Sequence, residues 1–350
     1  MFFANLRKTV PVLLGAIIIA SLFPLAAATT TYRVVATIPV NCASGVAVNE
    51  KTSMVYVTDV CDNLVAVING RTNQLVTSIP VGQFPDSLAV NPVTNIVYVE
   101  NSQSNYVTVI NGANNQVITN IAVGGTPGEV AVNSATNTVY ATVIVGGCSG
   151  PGCPPGLLSV IDGRTNTVST QLSLSPCLSD PIPMAVNPAT NRIYVAAYDN
   201  PNVTVVDGSK LTIVSCVAVG NPSDGHPKHG LAVNPVTNRV YASRFPFCNP
   251  PYVPCTYIVD VLDGSSNTVI ASIPLGSGFP FGIGVDFLTN TMFVGLSGGA
   301  VAVVDGSTNT VIQNIPVQGN PYGVADNPRT NLAYVGDQSP SNTVSVIGQL

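Results

Sequence analysis

The sequence is poor in charge. Only 8% of its 350 residues are Asp, Glu, Lys or Arg, against about 25% in a typical globular protein. It has no Trp and only 2 His, and its net charge is −5. Because such a chain cannot neutralise a phosphate backbone, no nucleic-acid partner is expected. So few histidines weigh against a His-rich metal centre, and no metal or other cofactor is predicted. The 31 Gly and 28 Pro exclude a helical protein, because both residues destabilise helix interiors.

The first thirty residues have the pattern of a secretory signal peptide. Arg7 and Lys8 form a short positive region, and an apolar run follows from Val10 to Leu22. Ala26-Ala27-Ala28 then supplies small residues for cleavage. The alternative is a retained membrane anchor, but the apolar run is shorter than the roughly 20 residues that a spanning helix needs.

This pattern divides the chain into two segments. We predict a signal peptide over residues 1–28 and a mature domain over residues 29–350. No second hydrophobic run of spanning length occurs downstream. The mature protein is therefore expected to be secreted or otherwise extracytoplasmic, with the membrane involved only through export.

The remainder of the chain repeats one phrase, Ala-Val-Asn-Pro-x-Thr-Asn-x-Val-Tyr-Val, seven times. The spacings between copies are 42, 42, 54, 47, 52 and 41 residues. The position of the first Asn is filled by Asn49, Asn91, Asn133, Asn187, Asn234, Asp286 and Asn327. The aromatic position is filled by Tyr56, Tyr98, Tyr140, Tyr194, Tyr241, Phe293 and Tyr334.

Each copy predicts four antiparallel strands. In the second copy, the Asn91–Asn95 turn separates two short apolar strands, and the Asn111-Gly112 pair marks a hairpin after a strand that alternates with period two. Four strands at a period in the forties are typical of a propeller blade. A parallel β-solenoid is disfavoured because its repeat is shorter and lacks three hairpin turns per unit. The predicted fold is therefore all-β, a seven-bladed β-propeller of four-stranded antiparallel blades.

The two ends of the repeat array complement each other. The last copy stops after its third strand, at Val344–Gly348, and has no fourth. The segment Tyr32–Val40 matches the fourth strand of other copies. We therefore predict that this N-terminal strand completes the last blade and closes the ring, which removes open sheet edges.

The repeat resembles the YVTN family of β-propeller repeats. The resemblance rests on Tyr56-Val57-Thr58-Asp59, on Tyr98-Val99-Glu100-Asn101 and on the phrase Val-Ile-Asn/Asp-Gly-x-Thr-Asn, and it covers residues 32–350. The family is similar to archaeal and bacterial surface-layer and secreted proteins, and more distantly to lactonase-like and quinoprotein-associated propellers. The resemblance implies the fold and an extracytoplasmic setting, but it transfers no catalytic residue. The chain departs from the pattern at Asp286-Phe287 and at Asp326.

Differences in loop length fall on one side of the predicted ring. Strands alternate in direction, so the turns after first and third strands share one face, here called the turn face. The loops after second and fourth strands share the other, here called the insertion face. All large insertions belong to the insertion face, over blades three to five: Ile144–Gly156, Ser175–Pro183, Asn221–His229 and Ser243–Thr256. Because function concentrates on loops held by a rigid scaffold, this is the predicted binding face. Neutral drift is the alternative, since surface loops tolerate insertion at low cost.

All eight cysteines lie in the mature chain, which predicts disulfides in an exported protein. Cys148 with Cys153, and Cys248 with Cys255, each close one insertion, and Cys42 and Cys61 lie on the same face of blade one; Cys177 and Cys216 pair by elimination. Metal binding by cysteine is disfavoured because the spacing is not Cys-x-x-Cys.

The residues that precede the first strands should ring the mouth of the central channel. They are Ser44, Asp86, Gly128 with Glu129, Ile182, His229, Phe281 and Tyr322. Asp86, Glu129, His229 and Tyr322 form a candidate ligand site that could hold a cation or orient a small molecule. No catalytic motif such as Gly-x-Ser-x-Gly or His-Glu-x-x-His is present, so no catalytic residue is assigned.

The predicted function is a non-enzymatic scaffold that binds an unknown protein or glycan at the cell surface through the insertion face. A small-molecule lyase or lactonase at the channel mouth is the alternative from another class, and a structural subunit of a surface layer or filament is a third. Asn202-Val203-Thr204 is the one glycosylation sequon, which makes Asn202 a candidate modification site.

Overall fold

The computed structural model describes residues 31–146, 154–178, 181–197, 201–219, 230–244, 257–338 and 341–350. Within these residues the chain forms 28 strands and no helix. The strands assemble into seven four-stranded antiparallel sheets, so the predicted seven-bladed β-propeller is confirmed. The propeller strands all lie in the compact unit Thr31–Leu350.

The first four blades follow the sequence without interruption. Blade one contains β2 (Ala43–Asn49), β3 (Met54–Asp59), β4 (Leu64–Asn69) and β5 (Gln74–Pro80). Blade two contains β6 (Leu88–Asn91), β7 (Ile96–Asn101), β8 (Tyr106–Asn111) and β9 (Gln116–Ala122). Blade three contains β10 (Thr126–Asn133), β11 (Thr138–Ile144), β12 (Leu157–Asp162) and β13 (Thr167–Ser173). Blade four contains β14 (Pro181–Asn187), β15 (Arg192–Ala197), β16 (Asn202–Asp207) and β17 (Thr212–Ala218).

The last three blades include the one that joins the two ends of the chain. Blade five contains β18 (Leu231–Asn234), β19 (Arg239–Arg244), β20 (Tyr257–Asp263) and β21 (Thr268–Gly276). Blade six contains β22 (Pro280–Asp286), β23 (Thr291–Leu296), β24 (Ala300–Asp305) and β25 (Thr310–Pro316). Blade seven contains β26 (Asn320–Asn327), β27 (Leu332–Gln338), β28 (Thr343–Gln349) and β1 (Tyr32–Pro39).

The ring closes as the sequence predicts, because β1 pairs antiparallel with β28. Two contacts that the sequence did not reveal tie β1 to blade six. The Gln313 side-chain amide donates to the Tyr32 carbonyl over 2.7 Å, and the Tyr32 amide donates back to Gln313 Oε1 over 2.9 Å. The Tyr32 ring also packs edge-on against Phe293, with ring centroids 5.5 Å apart.

The core is divided into seven clusters, one between each pair of neighbouring blades. The aromatic residue of the repeat lies in these clusters: Tyr56, for example, is fully buried and packs with Val97 and Ile110 of the next blade. Burial between adjacent sheets removes apolar surface from water, at about 25 cal/mol per Å². The repeated aromatics are thus packing residues rather than a ligand stack.

The tyrosine hydroxyls reach the hairpin of the following blade. The Tyr334 hydroxyl donates to the Gly70 carbonyl over 3.0 Å and contacts Asn73 Oδ1 at 3.2 Å. Blade seven has no hairpin between its third and fourth strands, because β1 comes from the other end of the chain. The preceding blade six carries Phe293, which has no hydroxyl, at the tyrosine position. The one departure from tyrosine in the repeat therefore coincides with the one missing hairpin.

The turn face is held together by hydrogen bonds between asparagines of neighbouring blades. The inner-strand Asn bonds its own turn through Oδ1 and donates from Nδ2 to the last Asn of the next turn, as Asn91 does to Asn137 over 2.7 Å. The acceptor residue has positive φ, 54° in Asn137, a conformation that Asn tolerates better than most residues. Five such bonds of 2.6–2.8 Å link blades one to six: Asn49–Asn95, Asn91–Asn137, Asn133–Asn191, Asn187–Asn238 and Asn234–Asn290.

This series of bonds stops on both sides of blade seven. Asp286 replaces the donor Asn in blade six, and Ser53 replaces the acceptor Asn in blade one, so that the buried Asn327 Nδ2 has no hydrogen-bond partner. Asp326 Oδ2 is also buried without a partner, and burial together with repulsion from Asp286 raises the pKa of Asp326 to about 8. The sequence departures at Asp286 and Asp326 leave the blade count unchanged, and the one at Asp286 removes a link between blades six and seven.

Every outermost strand carries a β-bulge at the same register. In blade one the pairing shifts between Val67 and Ile68, which leaves Val76 as the extra residue on β5, 52% exposed. The same shift occurs on β1, β9, β13, β17, β21 and β25. A bulge twists an edge strand and disfavours pairing with the edge of another sheet.

Two disulfides lie within the described residues. Cys42–Cys61 and Cys177–Cys216 are both formed, as predicted. Cys148, Cys153, Cys248 and Cys255 lie outside the described residues, so their pairing stays a prediction. The part of the chain that the structure describes holds no helix with the length and hydrophobicity that crossing a bilayer requires.

Candidate functional site at the channel mouth

The first strand of each blade begins at the insertion face and faces the central channel. A cavity of about 140 Å³ lies at this end of the channel. Its lining includes five of the residues predicted to ring the mouth: Asp86, Gly128, Glu129, Ile182 and Tyr322. His229, the remaining member of the predicted ligand site, lies outside the described residues.

Glycines let the first strands approach one another closely. A Cβ added to Gly128 would lie 2.9 Å from the Pro181 carbonyl of the next blade, and one added to Gly45 would overlap the Asp86 carbonyl. Close approach of two backbones requires the absence of a side chain. Glycine backbone therefore forms part of the cavity lining, at Gly45 and Gly128.

Asp86 joins blades one and two. Its carboxylate accepts a short hydrogen bond from the hydroxyl of Ser44, which is fully buried. Burial raises the pKa of Asp86, and the Ser44 hydrogen bond opposes this effect only in part. Asp86 is half-buried, so it both holds this contact and lines the cavity.

Glu100 lies directly behind Asp86 and is a site residue that the sequence analysis did not single out. Its Oε2 accepts hydrogen bonds of 3.2 Å from the backbone amides of Asp86 and Ser87. In blades one and three the same task falls to Thr58 and Thr142, whose hydroxyls accept from the first-strand amides at 2.8 Å. The sequence signal for Glu100 is that it follows Tyr98-Val99, at the position where Thr58 follows Tyr56-Val57 in the first copy.

Glu100 is 1% exposed, and its second oxygen, Oε1, has no hydrogen-bond partner. Burial raises the pKa of Glu100 well above its ordinary value, with further contributions from repulsion by Asp86 and by Glu129. An unpaired buried carboxylate is costly, so the group favours its protonated form.

Glu129 joins blades three and four. Its Oε2 accepts a hydrogen bond of 2.9 Å from the Met184 amide. Burial raises the pKa of Glu129 to about 8, and repulsion from Asp86 adds to this effect while the Met184 amide opposes it. Glu129 is half-buried, and part of its surface faces the cavity.

Asp86, Glu100 and Glu129, here called the carboxyl cluster, therefore interact electrostatically across blades two and three. Within the described residues, none of the three forms an ion pair. No group of three or more His, Cys, Asp or Glu side chains in the described ranges is arranged to hold a metal ion. Burial raises the pKa of all three carboxyls of the cluster.

The blade-seven side of the mouth is aromatic. Tyr322 lines the cavity, and its ring packs against Phe281 with centroids 5.3 Å apart and planes inclined at 34°. The sequence placed both residues at the mouth but gave no sign that their rings meet, because they belong to different blades.

The predicted insertions are only partly described. Ser175–Pro183 folds inward near its start, where Cys177 and Leu178 are buried against blade four. Most of the other three insertions lies outside the described residues. Asn202, the candidate glycosylation site, is half-buried at the start of β16, and Thr204 of the same sequon is fully buried.

Comparison with known proteins identifies the fold and no family. No family model matches the chain, and no curated protein matches it. Hydrazine synthase of Kuenenia stuttgartiensis is similar in structure, with a TM-score of 0.76 and 17% sequence identity, over 88% of this chain and 95% of that one. At this identity the likeness shows the fold alone. The resemblance to YVTN repeats stays a prediction.

Proposed function

We propose that this protein is an extracytoplasmic binding scaffold that docks its partner on the insertion face over blades three to five. The observation that carries the proposal is the contrast between the two faces. Turns of nearly constant length form the turn face, where asparagine bonds tie six blades together. The large length differences between blades belong to the opposite face. A rigid base with variable loops on one side suits recognition.

The proposed compartment has separate support. Two disulfides favour an oxidising environment, and the N-terminal sequence predicts export. Secretion or display at the cell surface, with a protein or glycan as partner, is part of the proposal.

The channel mouth favours binding over turnover of a sizeable substrate. Its cavity of about 140 Å³ is smaller than the roughly 300–1,000 Å³ of typical small-molecule sites. Glu100 and Glu129 also accept hydrogen bonds from backbone amides through their carboxyl oxygens, and these contacts support the fold.

The test immobilises the protein through a C-terminal tag, because β28 ends at the turn face and the insertion face then stays free. One variant replaces residues 246–256 with a short Gly-Ser linker. The matched control changes the turn face instead, at Val93→Ser and Val236→Ser, two turn residues that are 61% and 70% exposed. Envelope proteins and glycans captured by each are quantified. We expect the linker variant to lose a partner that the control retains. Equal capture by both variants would contradict the proposal.

Acid–base chemistry on a small substrate is a second candidate. It is supported by Glu129, because a carboxyl whose pKa is raised to about 8 can act as a general acid near neutral pH. The test is turnover of a panel of lactones by the purified protein, by Glu129→Gln and by His229→Ala. Absence of turnover, or equal turnover by all three, removes this candidate.

A further inference from the structure

We propose that the channel mouth binds an organic cation, the ammonium or guanidinium tip of a basic side chain carried by the docked partner. This inference rests on the proposed binding function and names the chemistry of its anchor. The site comprises Asp86, Glu129 and Tyr322, which line the cavity, with Glu100 buried behind Asp86.

The first support is negative charge without a compensating cation, because none of the three carboxyls of the cluster forms an ion pair within the described residues. Glu100 Oε1 is buried without a hydrogen-bond partner, and the side chain is 1% exposed. A buried polar atom in that state costs about 1–3 kcal/mol, more for a charged group. A cation that entered the mouth would offset the repulsion that Asp86 and Glu129 exert on Glu100.

The second support is the aromatic side of the same cavity. The faces of tyrosine and phenylalanine attract ammonium and guanidinium groups, by about 0.5–2 kcal/mol depending on desolvation. The paired rings of Tyr322 and Phe281 lie at the mouth, with Tyr322 in the cavity lining. Carboxylates with an aromatic ring suit an organic cation, whereas a divalent metal prefers an all-oxygen shell.

The third support is size. A cavity of about 150 Å³ in another protein holds benzene, a ligand of six carbon atoms. The cavity here has about 140 Å³. It therefore accommodates the end of one lysine or arginine side chain, and it excludes a large ligand.

The test is isothermal titration of the full chain at pH 8.5 with butylammonium, with methylguanidinium and with the uncharged butan-1-ol. We expect both cations to bind at least tenfold more tightly than the alcohol. Affinity should rise between pH 6 and pH 9, because Glu129 loses its proton in this range. The titratable groups that line the cavity in the described residues are Asp86, Glu129 and Tyr322, with Glu100 behind them.

Two conservative variants locate the site. Glu129→Gln and Asp86→Asn keep the oxygens that accept from the Met184 amide and from the Ser44 hydroxyl, but remove the charge. Each should weaken cation binding at least tenfold. Glu50→Gln, the same charge change in a turn on the turn face, should leave it unaltered. If a variant fails to fold, the wild-type comparison between butylammonium and butan-1-ol still decides, through the rise in melting temperature that each produces.

Three results would overturn the inference: equal affinity for the alcohol and the cations, no effect of either variant, or calcium chloride that binds more tightly and displaces butylammonium. The last would assign the mouth to a metal ion instead. Failure here is distinct from failure of the scaffold proposal. If wild type and Glu129→Gln capture a partner equally, the scaffold proposal stands and the cation inference fails. If the cations bind but no partner is captured, the scaffold proposal fails and the cation site stands.

Discussion

Glu129→Gln should make the protein more stable at alkaline pH. The pKa of Glu129 is raised from 4.5 to about 8 in the folded state, so the folded protein holds this proton more tightly than the unfolded chain does. The stability that the protonated carboxyl contributes is complete below about pH 4.5 and is lost as the pH rises through 8. Glutamine resembles the protonated acid at every pH and avoids that loss.

The size of the effect follows from the shift. At 1.36 kcal/mol per pKa unit, a shift of this size corresponds to about 5 kcal/mol. Because part of the Glu129 surface faces channel water, which screens the charge, we expect about half of this, or 2–3 kcal/mol at pH 9. For a chain of this length that is about 5 °C in melting temperature.

The assay is thermal unfolding of wild type, Glu129→Gln and Glu50→Gln between pH 5 and pH 9. The wild type and Glu129→Gln should nearly agree at pH 5 and diverge steadily up to about pH 8, where the difference levels off with the variant the more stable. A shallower slope should remain in the variant, because burial also raises the pKa values of Asp86, Glu100 and Asp337. Parallel curves for wild type and Glu129→Gln would refute the reasoning, as would an equal gain from Glu50→Gln.

Four further predictions concern stability, measured by urea unfolding. Asp286→Asn supplies the donor present in the five linked blades and removes a charge near Asp326, so it should stabilise the protein by about 1 kcal/mol; a loss would contradict the role given to the asparagine bonds. Tyr334→Phe removes the hydroxyl contacts to the next blade and should cost about 1 kcal/mol. Arg244→Ala leaves the carboxylate of Asp260, its partner at 2.7 Å, buried and unpaired, and should cost about 3–5 kcal/mol, much of it recovered when Asp260 is also made apolar. Cys61→Ser opens a crosslink between residues 19 apart and should cost about 3 kcal/mol.

The sequence predicted the propeller because a blade is built from local signals. Asn-Gly and Asn-Pro pairs mark the turns, and period-two alternation marks the strands. Both signals recur along the seven copies of the repeat. The closing strand was also predictable, because β1 resembles the fourth strand of other blades. The role of the last Asn in each turn was not apparent, since its hydrogen bond runs to the blade before it, as from Asn91 to Asn137.

The candidate site was predictable only as a set of positions. Counting back from each first strand located Asp86, Glu129 and Tyr322 at the channel mouth, because strand direction alone determines which residues reach that end. Sequence spacing could not show that Glu100 accepts hydrogen bonds from the amide of Asp86, 14 residues before it. Nor could it show that Glu129 accepts one from an amide 55 residues away. Burial, unpaired oxygens and shifted pKa values arise only when neighbouring blades surround a group. Local turn and strand chemistry thus determined the propeller fold. The packing of one blade against the next determined the electrostatics of the channel mouth.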